Sequence, residues 1–397
     1  MTASGIATPI TPPGGTTLLF SLRALPLMAA RVGASLARAW GRPFKLGPVV
    51  IAARHCDVTE ALSRDLDFII RPVYAARFDV IDYHFILGMD RSAELDRERG
   101  ILYEALSKVD MAPVRRRAGE AIAQHLAEHT ETIDVIEDYA RPTAAATASA
   151  VFGIAPANLD LFMDAARAIF GHCFLNLTGD KAVEARAMAA AELLSGWFRA
   201  EITRRRTEGA LGEDMMGQLL RLTTDDDLVR RSLGGMLVGS IDTTATVVAK
   251  VVSVLMADRA MLEAARRDRH DPPRLYGWCE EALRRWTQTP LIARQAAYDT
   301  TLAGTSVASG AKVVLWTQAA MFDATAFPYP DLMRPDRDGG YLHLGAGLHP
   351  CAGRAINAWQ IPMLVAGLLE APWAKLGPMA WAGPFPARLP LHRTRGA

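Results

Sequence analysis

Cysteine is scarce in this chain, with only four among 397 residues. Cys56, Cys173, Cys279 and Cys351 are widely scattered and show none of the paired spacings of a disulfide framework or a zinc knuckle. The sequence therefore predicts free thiols and a cytoplasmic location.

A net excess of charge is also missing. Lys plus Arg number 44 against 43 for Asp plus Glu, which gives a formal net charge of +1. This balance argues against nucleic acid as a partner, because proteins that bind it rely on a basic surface. Gly-rich phosphate loops, Ser-centred nucleophile elbows and dinucleotide fingerprints do not stand out either. Half of the residues are hydrophobic, which is enough for the large core of a soluble enzyme.

Membrane-spanning runs are lacking as well. Residues 18–30 are apolar, but Arg23 interrupts them and the stretch is too short to cross a bilayer. We expect no transmembrane anchor there, although peripheral membrane contact stays open. Residues 232–249 carry Asp242 as their only charge, and a carboxylate at mid-membrane would be costly. A long helix through a protein core, capped by the acidic residues 225–227, is the better interpretation.

The remaining pattern predicts one mainly α domain with a small β region. Residues 1–17 are rich in Pro, Gly and Thr and are typical of a disordered leader, so the domain is expected over 18–397. A strand is predicted over 47–53, helices dominate 92–265, and short strands follow. A final helix is predicted over 354–369.

A glycine-punctuated loop before that final helix contains the most informative cysteine. Gly345 and Gly347 permit turns that side-chain-bearing residues avoid and allow close approach to a flat ligand. Backbone amides after Cys351, including that of Gly353, are expected to point at its sulfur, and a helix starting at Arg354 should lower the thiol pKa. The arrangement suits an anionic metal ligand. The alternative is a buried cysteine in an ordinary turn.

A second constellation lies on the predicted central helix. Gly239 and Thr243 are four residues apart and share one helix face, so the glycine opens space beside a hydroxyl. The adjacent Asp242 could supply protons from water. In isolation, a buried acid capped by neighbouring hydroxyls would be the better explanation of this pattern.

A third constellation is the pair Glu281 and Arg284, three residues apart on a predicted helix. Alone it would be an ordinary helix salt bridge, worth about 0.2–0.5 kcal/mol. Its position after the Asp242 motif and before the cysteine loop gives it more weight.

Taken in this order, the three motifs resemble the cytochrome P-450 family over residues 47–369. The resemblance implies a triangular, mainly helical fold with haem b buried between the central helix and the cysteine loop. It implies that Cys351 is the iron ligand and that Gly239, Gly345 and Gly353 border the haem. Asp242 and Thr243 become the expected catalytic pair at the oxygen-binding side.

The same resemblance assigns further residues. Arg99, Arg294 and His349 match partners of the haem propionates. Arg337 matches the third member of an ion network with Glu281 and Arg284, which would anchor the cysteine loop.

Several positions depart from the family pattern. Leu344 replaces a phenylalanine beside the sulfur, which changes packing there. Leu95 stands where a histidine is common, Ser240 where a second glycine is common, and residues 321–323 lack the usual Asn-Arg before Asp. These changes affect the fine tuning of the haem site and the choice of oxidant more than haem binding, because none touches Cys351 or Thr243.

The resemblance implies a monooxygenase that activates O₂ to hydroxylate or epoxidise a small, moderately hydrophobic organic substrate of natural-product or lipid metabolism. Electrons from NAD(P)H would arrive through ferredoxin and ferredoxin reductase. The segments expected to face substrate are 73–85, 161–177, the start of the central helix and 289–292, with Arg77 and His84 as polar anchors. Two alternatives stay open: a peroxide-using or rearranging haem-thiolate enzyme, and a non-catalytic haem-binding partner or sensor.

Overall fold

The chain is mainly helical. A computed structural model describes residues 25–176, 178–382 and 385–393, so the predicted leader at 1–17 lies outside the described residues. Two compact units are present, and neither is continuous in sequence. The first contains residues 25–67 and Lys250–Gly347, and the second contains Phe68–Ala249 and the chain from Leu348 onward. The expectation of one domain over 18–397 stays a prediction.

Helices make up 58% of the structure. The α-helices of the described residues are α1 Leu25–Ala39, α2 His55–Ser63, α3 Arg71–Asp79, α4 Ala93–Ser107, α5 Met111–Glu128, α6 Arg141–Phe152, α7 Leu159–Phe170, α8 Lys181–Glu208, α9 Met215–Leu222, α10 Asp226–Val238, α11 Asp242–Met256, α12 Arg259–Asp268, α13 Pro272–Arg285, α14 Thr317–Ala320 and α15 Arg354–Glu370. Two π-helical turns, Val135–Ala140 and Gly171–Leu175, directly precede α6 and follow α7.

The strands are short. They are β1 Phe44–Leu46, β2 Val49–Ala52, β3 Phe68–Ile69, β4 Thr132–Asp134, β5 Ile292–Ala296, β6 Thr300–Leu302, β7 Thr305–Val307, β8 Lys312–Leu315, β9 Trp373–Leu376, β10 Ala380–Ala382, β11 Phe385–Arg388 and β12 Pro390–Arg393. In the first unit, four strands follow the order β1-β2-β8-β5, and β2 pairs with β8 in parallel. In the second unit, β12 lies between β4 and β9, and all these pairings are antiparallel.

The predicted central helix is two helices. α10 ends at Val238 and α11 begins at Asp242, because the backbone turns at Gly239–Ile241. The Ser240 hydroxyl donates to the Leu237 carbonyl at 2.8 Å, a local bond that competes with a continuous helical ladder. The predicted acidic cap of this helix is confirmed, because the Asp225 carboxylate accepts a 2.9 Å hydrogen bond from the Leu228 N–H at the start of α10.

The two helices together, Asp226–Met256, are long and apolar enough to cross a membrane by length and composition, and they form the one such segment among the described residues. However, 72% of the most apolar 18-residue stretch in this segment is buried inside the protein. The burial agrees with the expectation of a core helix.

Most other element predictions hold within a few residues. The strand predicted over 47–53 is β2, and the final helix begins at Arg354 as expected. Four C-terminal strands, β9 to β12, were missed because they are only three or four residues long and contain Pro386 and Pro390.

Candidate functional site

Cys351 lies in the turn immediately before α15, in the second unit. The Gly353 backbone N–H bonds its sulfur, and the Asn357 side-chain amide lies 3.9 Å away. The next amide, that of Arg354, was among those expected to point at the sulfur, but it bonds the Cys351 carbonyl at 3.2 Å. The loop therefore supplies fewer donors to the sulfur than the sequence suggested.

The expected lowering of the thiol pKa is wrong for the unligated sulfur. Burial raises the pKa of the Cys351 thiol, and this outweighs the Gly353 N–H and the Arg354 charge, which lower it. The physical reason is the removal of water from around a small anion. A cation at the sulfur would displace the proton and cancel this cost, so metal binding and deprotonation would be coupled here.

The glycines before Cys351 meet a strict backbone requirement. Gly345 and Gly347 have φ values of 68° and 72°, a region that side-chain-bearing residues rarely adopt. A Cβ on Gly347 would also lie 1.9 Å from the Leu62 carbonyl oxygen, a contact inside the first unit. The turn therefore requires glycine at position 347.

Arg99 reaches the same cysteine loop from α4, within the second unit. Its guanidinium donates to the Leu348 carbonyl at 3.0 Å and to Asp96 at 2.9 Å. His349 is half-buried two residues before the cysteine. In the first unit, the buried Arg294 lies on β5 and donates to the Ala293 carbonyl at 2.9 Å.

Tyr103 is a neighbour of the loop that the sequence reasoning missed. Burial raises the pKa of the Tyr103 phenol, Arg99 and Arg354 lower it, and Cys351 raises it, so the ring lies within electrostatic range of all three. Its position four residues after Arg99, on the same face of α4, was the available signal.

The turn between α10 and α11 contains the predicted glycine–threonine pair. A Cβ on Gly239 would meet only the Met236 carbonyl oxygen, at 3.9 Å, so the space beside this glycine is open. The Thr243 hydroxyl donates to the Gly239 carbonyl. Thr244 is held likewise by Ser240, at 2.7 Å. The Thr243 hydroxyl is thus fixed on the carbonyl of a glycine that has open space beside it.

Asp242 is paired with two arginines rather than being a free acid. Its carboxylate accepts a 2.8 Å hydrogen bond from Arg167 Nε. Arg141 Nε lies 3.3 Å away, within ion-pair distance but without hydrogen-bond geometry. Glu137 accepts from both arginines, at 3.1 Å and 2.9 Å, and Asp164 accepts from Arg141 at 2.9 Å.

We call these five residues the Asp242 network, and its exposure is graded. The side chains of Arg141 and Asp242 are 7% and 10% exposed, whereas those of Arg167 and Glu137 are 42% and 27% exposed. Although burial opposes it, the carboxylates of Asp242 and Glu137 raise the pKa of Arg167. A continuous chain of charged groups therefore runs from the buried acid toward solvent.

A second network in the first unit is sealed. Glu281 and Arg284 have no exposed side-chain surface and pair at 2.7 Å, and Arg337 reaches Glu281 at 3.1 Å. The Tyr341 hydroxyl, which the sequence reasoning missed, donates to Glu281 at 3.0 Å. Burial and the Glu281 charge both raise the pKa of Tyr341. These four residues form the Glu281 network.

Arg284 extends the Glu281 network into the chain that leads toward the cysteine loop. Its guanidinium donates to the carbonyls of Met321, Pro330 and Leu332 at 2.9, 2.8 and 3.2 Å. It also lies over the Phe327 ring, 5.3 Å from the centroid. The network thus holds a segment that has little regular structure of its own.

Aromatic rings bring together two of the segments expected to face substrate. Phe78, from the first segment, contacts Phe174, from the second, with ring centroids 6.1 Å apart. Phe170 contacts Phe174 at 5.1 Å and Phe385 of β11 at 5.2 Å. The aromatic cluster of the second unit comprises Tyr74, Phe78, Phe85, Phe170, Phe174 and Phe385.

The two predicted polar anchors have local partners. Arg77 donates to the Cys173 carbonyl at 3.2 Å and so ties α3 to the turn after α7. His84 lies 3.3 Å from the exposed carboxylate of Asp79, at the surface of the protein.

The chain is similar to known proteins in both sequence and fold. Residues 214–371 match the family model described as cytochrome P450. Cytochrome P450 109 of Bacillus spizizenii is 28% identical over 62% of this chain and 61% of its own length. Mycinamicin IV hydroxylase/epoxidase of Micromonospora griseorubida is 26% identical over 74% of this chain and 73% of its own length. The match to the first of these relatives thus spans about three fifths of its length.

Among solved structures, CalO2 aligns with a TM-score of 0.83 over 95% of this chain and 98% of that chain, at 21% identity. This likeness establishes the fold, which is the one expected from the sequence.

Proposed function

We propose that this chain is a member of the cytochrome P450 family and a haem-thiolate monooxygenase that inserts one atom of O₂ into a hydrophobic organic substrate. The observation that carries the proposal is the retention of three groups: the Cys351 thiol before α15, the Thr243 hydroxyl beside open volume, and the Asp242 network leading to solvent.

The residues present fit haem b. Cys351 would hold the iron through a lone thiol that has an amide donor, and the open space beside Gly239 suits a flat group. Arg99, Arg294 and His349 would bind the propionates. When bound, a thiolate-ligated haem supplies the redox chemistry that activates O₂.

The chain's own contribution is proton delivery. The Asp242 carboxylate is held by Arg167, which is partly exposed. When that ion pair opens, the carboxylate can take a proton from water near Glu137 and pass it toward the Thr243 hydroxyl. The Thr243 hydroxyl would release the Gly239 carbonyl, pass its own proton on and take one from Asp242 in exchange. General acid–base steps of this kind contribute about 10²–10⁴-fold in rate.

The substrate is proposed to be a small, moderately hydrophobic molecule. The aromatic cluster supports this, because aromatic side chains bury large apolar areas and favour apolar ligands. A hydroxylase/epoxidase among the relatives supports the same reaction class.

Electrons are proposed to come from NAD(P)H through ferredoxin reductase and ferredoxin. Arg115 lies over the Trp359 ring at 5.3 Å, which ties the basic run of α5 to the helix that follows Cys351. Arg116, Arg117 and Arg354 are exposed, and such a basic surface would steer an acidic electron donor. The four cysteines are free, in keeping with the proposed cytoplasmic location.

The test is electron coupling in Thr243→Ala, with Thr243→Ser as the matched control that keeps the hydroxyl. We expect Thr243→Ala to consume NADH, release hydrogen peroxide and form at least about tenfold less product per NADH, because the missing hydroxyl no longer directs proton delivery. Thr243→Ser should stay close to the parent.

Other outcomes would reject parts of the proposal. Normal coupling in Thr243→Ala would remove the hydroxyl from the proton route. Absence of substrate-dependent NADH consumption in the parent would favour a haem-binding sensor. Parent turnover that is equally fast with peroxide alone would favour a peroxide-using enzyme.

A further inference from the structure

Helix α1 exposes large apolar side chains to solvent. Val32, Leu36 and Trp40 follow one another at intervals of four residues, so they share one face, and they are 59%, 67% and 65% exposed. Leu46, at the end of β1, is 67% exposed as well. We call these four residues the α1 ridge. Single exposed apolar residues are common, but a row of this kind marks a contact surface.

The opposite face of α1 explains why the ridge points outward. Ala34 and Ala37 are buried and pack with Ala319 of α14, and Gly33 lies against the Trp316 side chain. Arg38 donates to the Ala319 carbonyl at 3.0 Å, which fixes the rotation of the helix. Between Val32 and Trp40, the chain thus turns small residues to the protein and large apolar residues to water. This is the reverse of an ordinary surface helix.

The chain segment that carries the α1 ridge is basic in sequence, and the carboxylates of Asp323 and Asp331 lie within electrostatic range of its Arg38. The first 56 residues contain no Asp or Glu but six of the 44 Lys and Arg, leaving 38 basic against all 43 acidic residues in the remainder. Arg42 and Lys45 are exposed between Trp40 and Leu46. An apolar ridge with a Trp and interleaved cations matches the interface of an anionic lipid bilayer, where the rings and alkyl chains sit at headgroup level.

We infer that the α1 ridge docks peripherally on a membrane surface that carries anionic lipids. A second copy that docked through the same ridge would be repelled by the shared positive charge. An anionic lipid surface can contact both the apolar side chains of the ridge and the exposed cations Arg42 and Lys45. This docking would hold the enzyme beside a pool of hydrophobic small molecules.

The test is flotation of the full-length haem-loaded protein with phosphatidylcholine vesicles, with and without phosphatidylserine, at low salt. We expect binding only to the anionic vesicles. The double substitution Leu36→Ser with Trp40→Ser should weaken binding at least about tenfold. Arg42→Gln with Lys45→Gln should weaken it about 25-fold.

Matched controls separate this surface from general stickiness. Leu161→Ser with Trp381→Ser removes apolar residues that are 44% and 46% exposed elsewhere, and Arg259→Gln with Arg267→Gln removes two exposed arginines. Both should bind like the parent. Haem loading of every variant checks that it is folded, and the readout does not depend on turnover.

Three results would overturn the inference. Equal binding of the ridge variants and the parent would assign any membrane contact to another segment. Equal binding to neutral and anionic vesicles would remove the charge argument. The third result is a parent that does not bind vesicles but runs as a dimer in gel filtration, while the variant Leu36→Ser with Trp40→Ser runs as a monomer. That result would identify a second copy of the chain as the partner of the ridge.

Discussion

The Glu281 network and the Asp242 network use the same chemical groups in opposite ways. In the first, Glu281 and Arg284 are fully buried, and they bond to side chains, backbone carbonyls and the Arg334 N–H. In the second, exposure rises from 10% at Asp242 to 42% at Arg167. A sealed network can only hold a geometry, whereas a graded one can exchange protons with water.

The comparison also separates what each network should do when it is broken. Removing one partner of a sealed pair leaves an unpaired buried charge, which is strongly destabilising. Removing a partly exposed partner lets water replace it, so the stability cost is small. Mutations in the Glu281 network should therefore lower the free energy of unfolding, and mutations in the Asp242 network should lower the rate of turnover.

The largest effect is expected for Glu281→Ala. It leaves Arg284 unpaired at 0% exposure and should cost about 3–5 kcal/mol of unfolding free energy, together with haem incorporation. Chemical denaturation and the absorbance of the purified protein measure both. Asp164→Ala, which removes a 69% exposed carboxylate from the other network, is the control and should stay within about 1 kcal/mol. A stable, haem-loaded Glu281→Ala protein would show that the network is dispensable.

The next effect concerns a third buried charge, Lys250, whose described partners are neutral. Its amine donates to the Thr287 carbonyl at 3.0 Å and lies 5.7 Å from the Trp286 ring centroid. Burial lowers the pKa of Lys250 from 10.5 to about 8. The unfolded chain therefore binds more protons between these values, so this group makes the protein more stable as pH rises from 8 to 10.5.

The shift corresponds to about 3 kcal/mol. Lys250→Met should remove that rise, so its stability relative to the parent should fall by this amount over the window. Denaturation of both proteins at the two ends of the pH window measures it. A constant difference between them would show that the amine is hydrated.

The smallest effect on stability is expected in the Asp242 network. Asp242→Asn should slow turnover roughly tenfold by removing the group that carries the proton, with little added peroxide because Thr243 is intact. Arg167→Ala should change the unfolding free energy by less than about 1 kcal/mol. Steady-state turnover and peroxide release test the prediction for Asp242→Asn, and chemical denaturation tests the prediction for Arg167→Ala. Loss of folding in Arg167→Ala would mean that this network is structural too.

Much of the Glu281 network could be predicted from sequence. The spacing of Glu281 and Arg284 places them on one helix face, and Arg337 follows in the order that the family motif has. The contribution of Tyr341 could not be predicted, because a tyrosine in an irregular segment has no periodic signal. Its position depends on how that segment folds around Arg284.

The Asp242 network was largely invisible to sequence reasoning. Asp242 was recognised, but Arg141 and Arg167 lie about 100 and 75 residues earlier, and each looks like an ordinary surface residue of its own helix. Long-range packing of α6, α7 and α11 brings them together. The raised thiol pKa of Cys351 was missed for a related reason, since burial depends on the whole fold and not on the loop.

The central claim, that Cys351 ligates a haem iron, is tested most directly by the absorbance of the reduced carbon-monoxide complex. The parent and Cys56→Ser, which removes an exposed thiol, should both show the red-shifted Soret band that a thiolate ligand produces. Cys351→His should lose that band even if haem remains bound. Persistence of the band in Cys351→His, or its absence from the haem-loaded parent, would contradict the account.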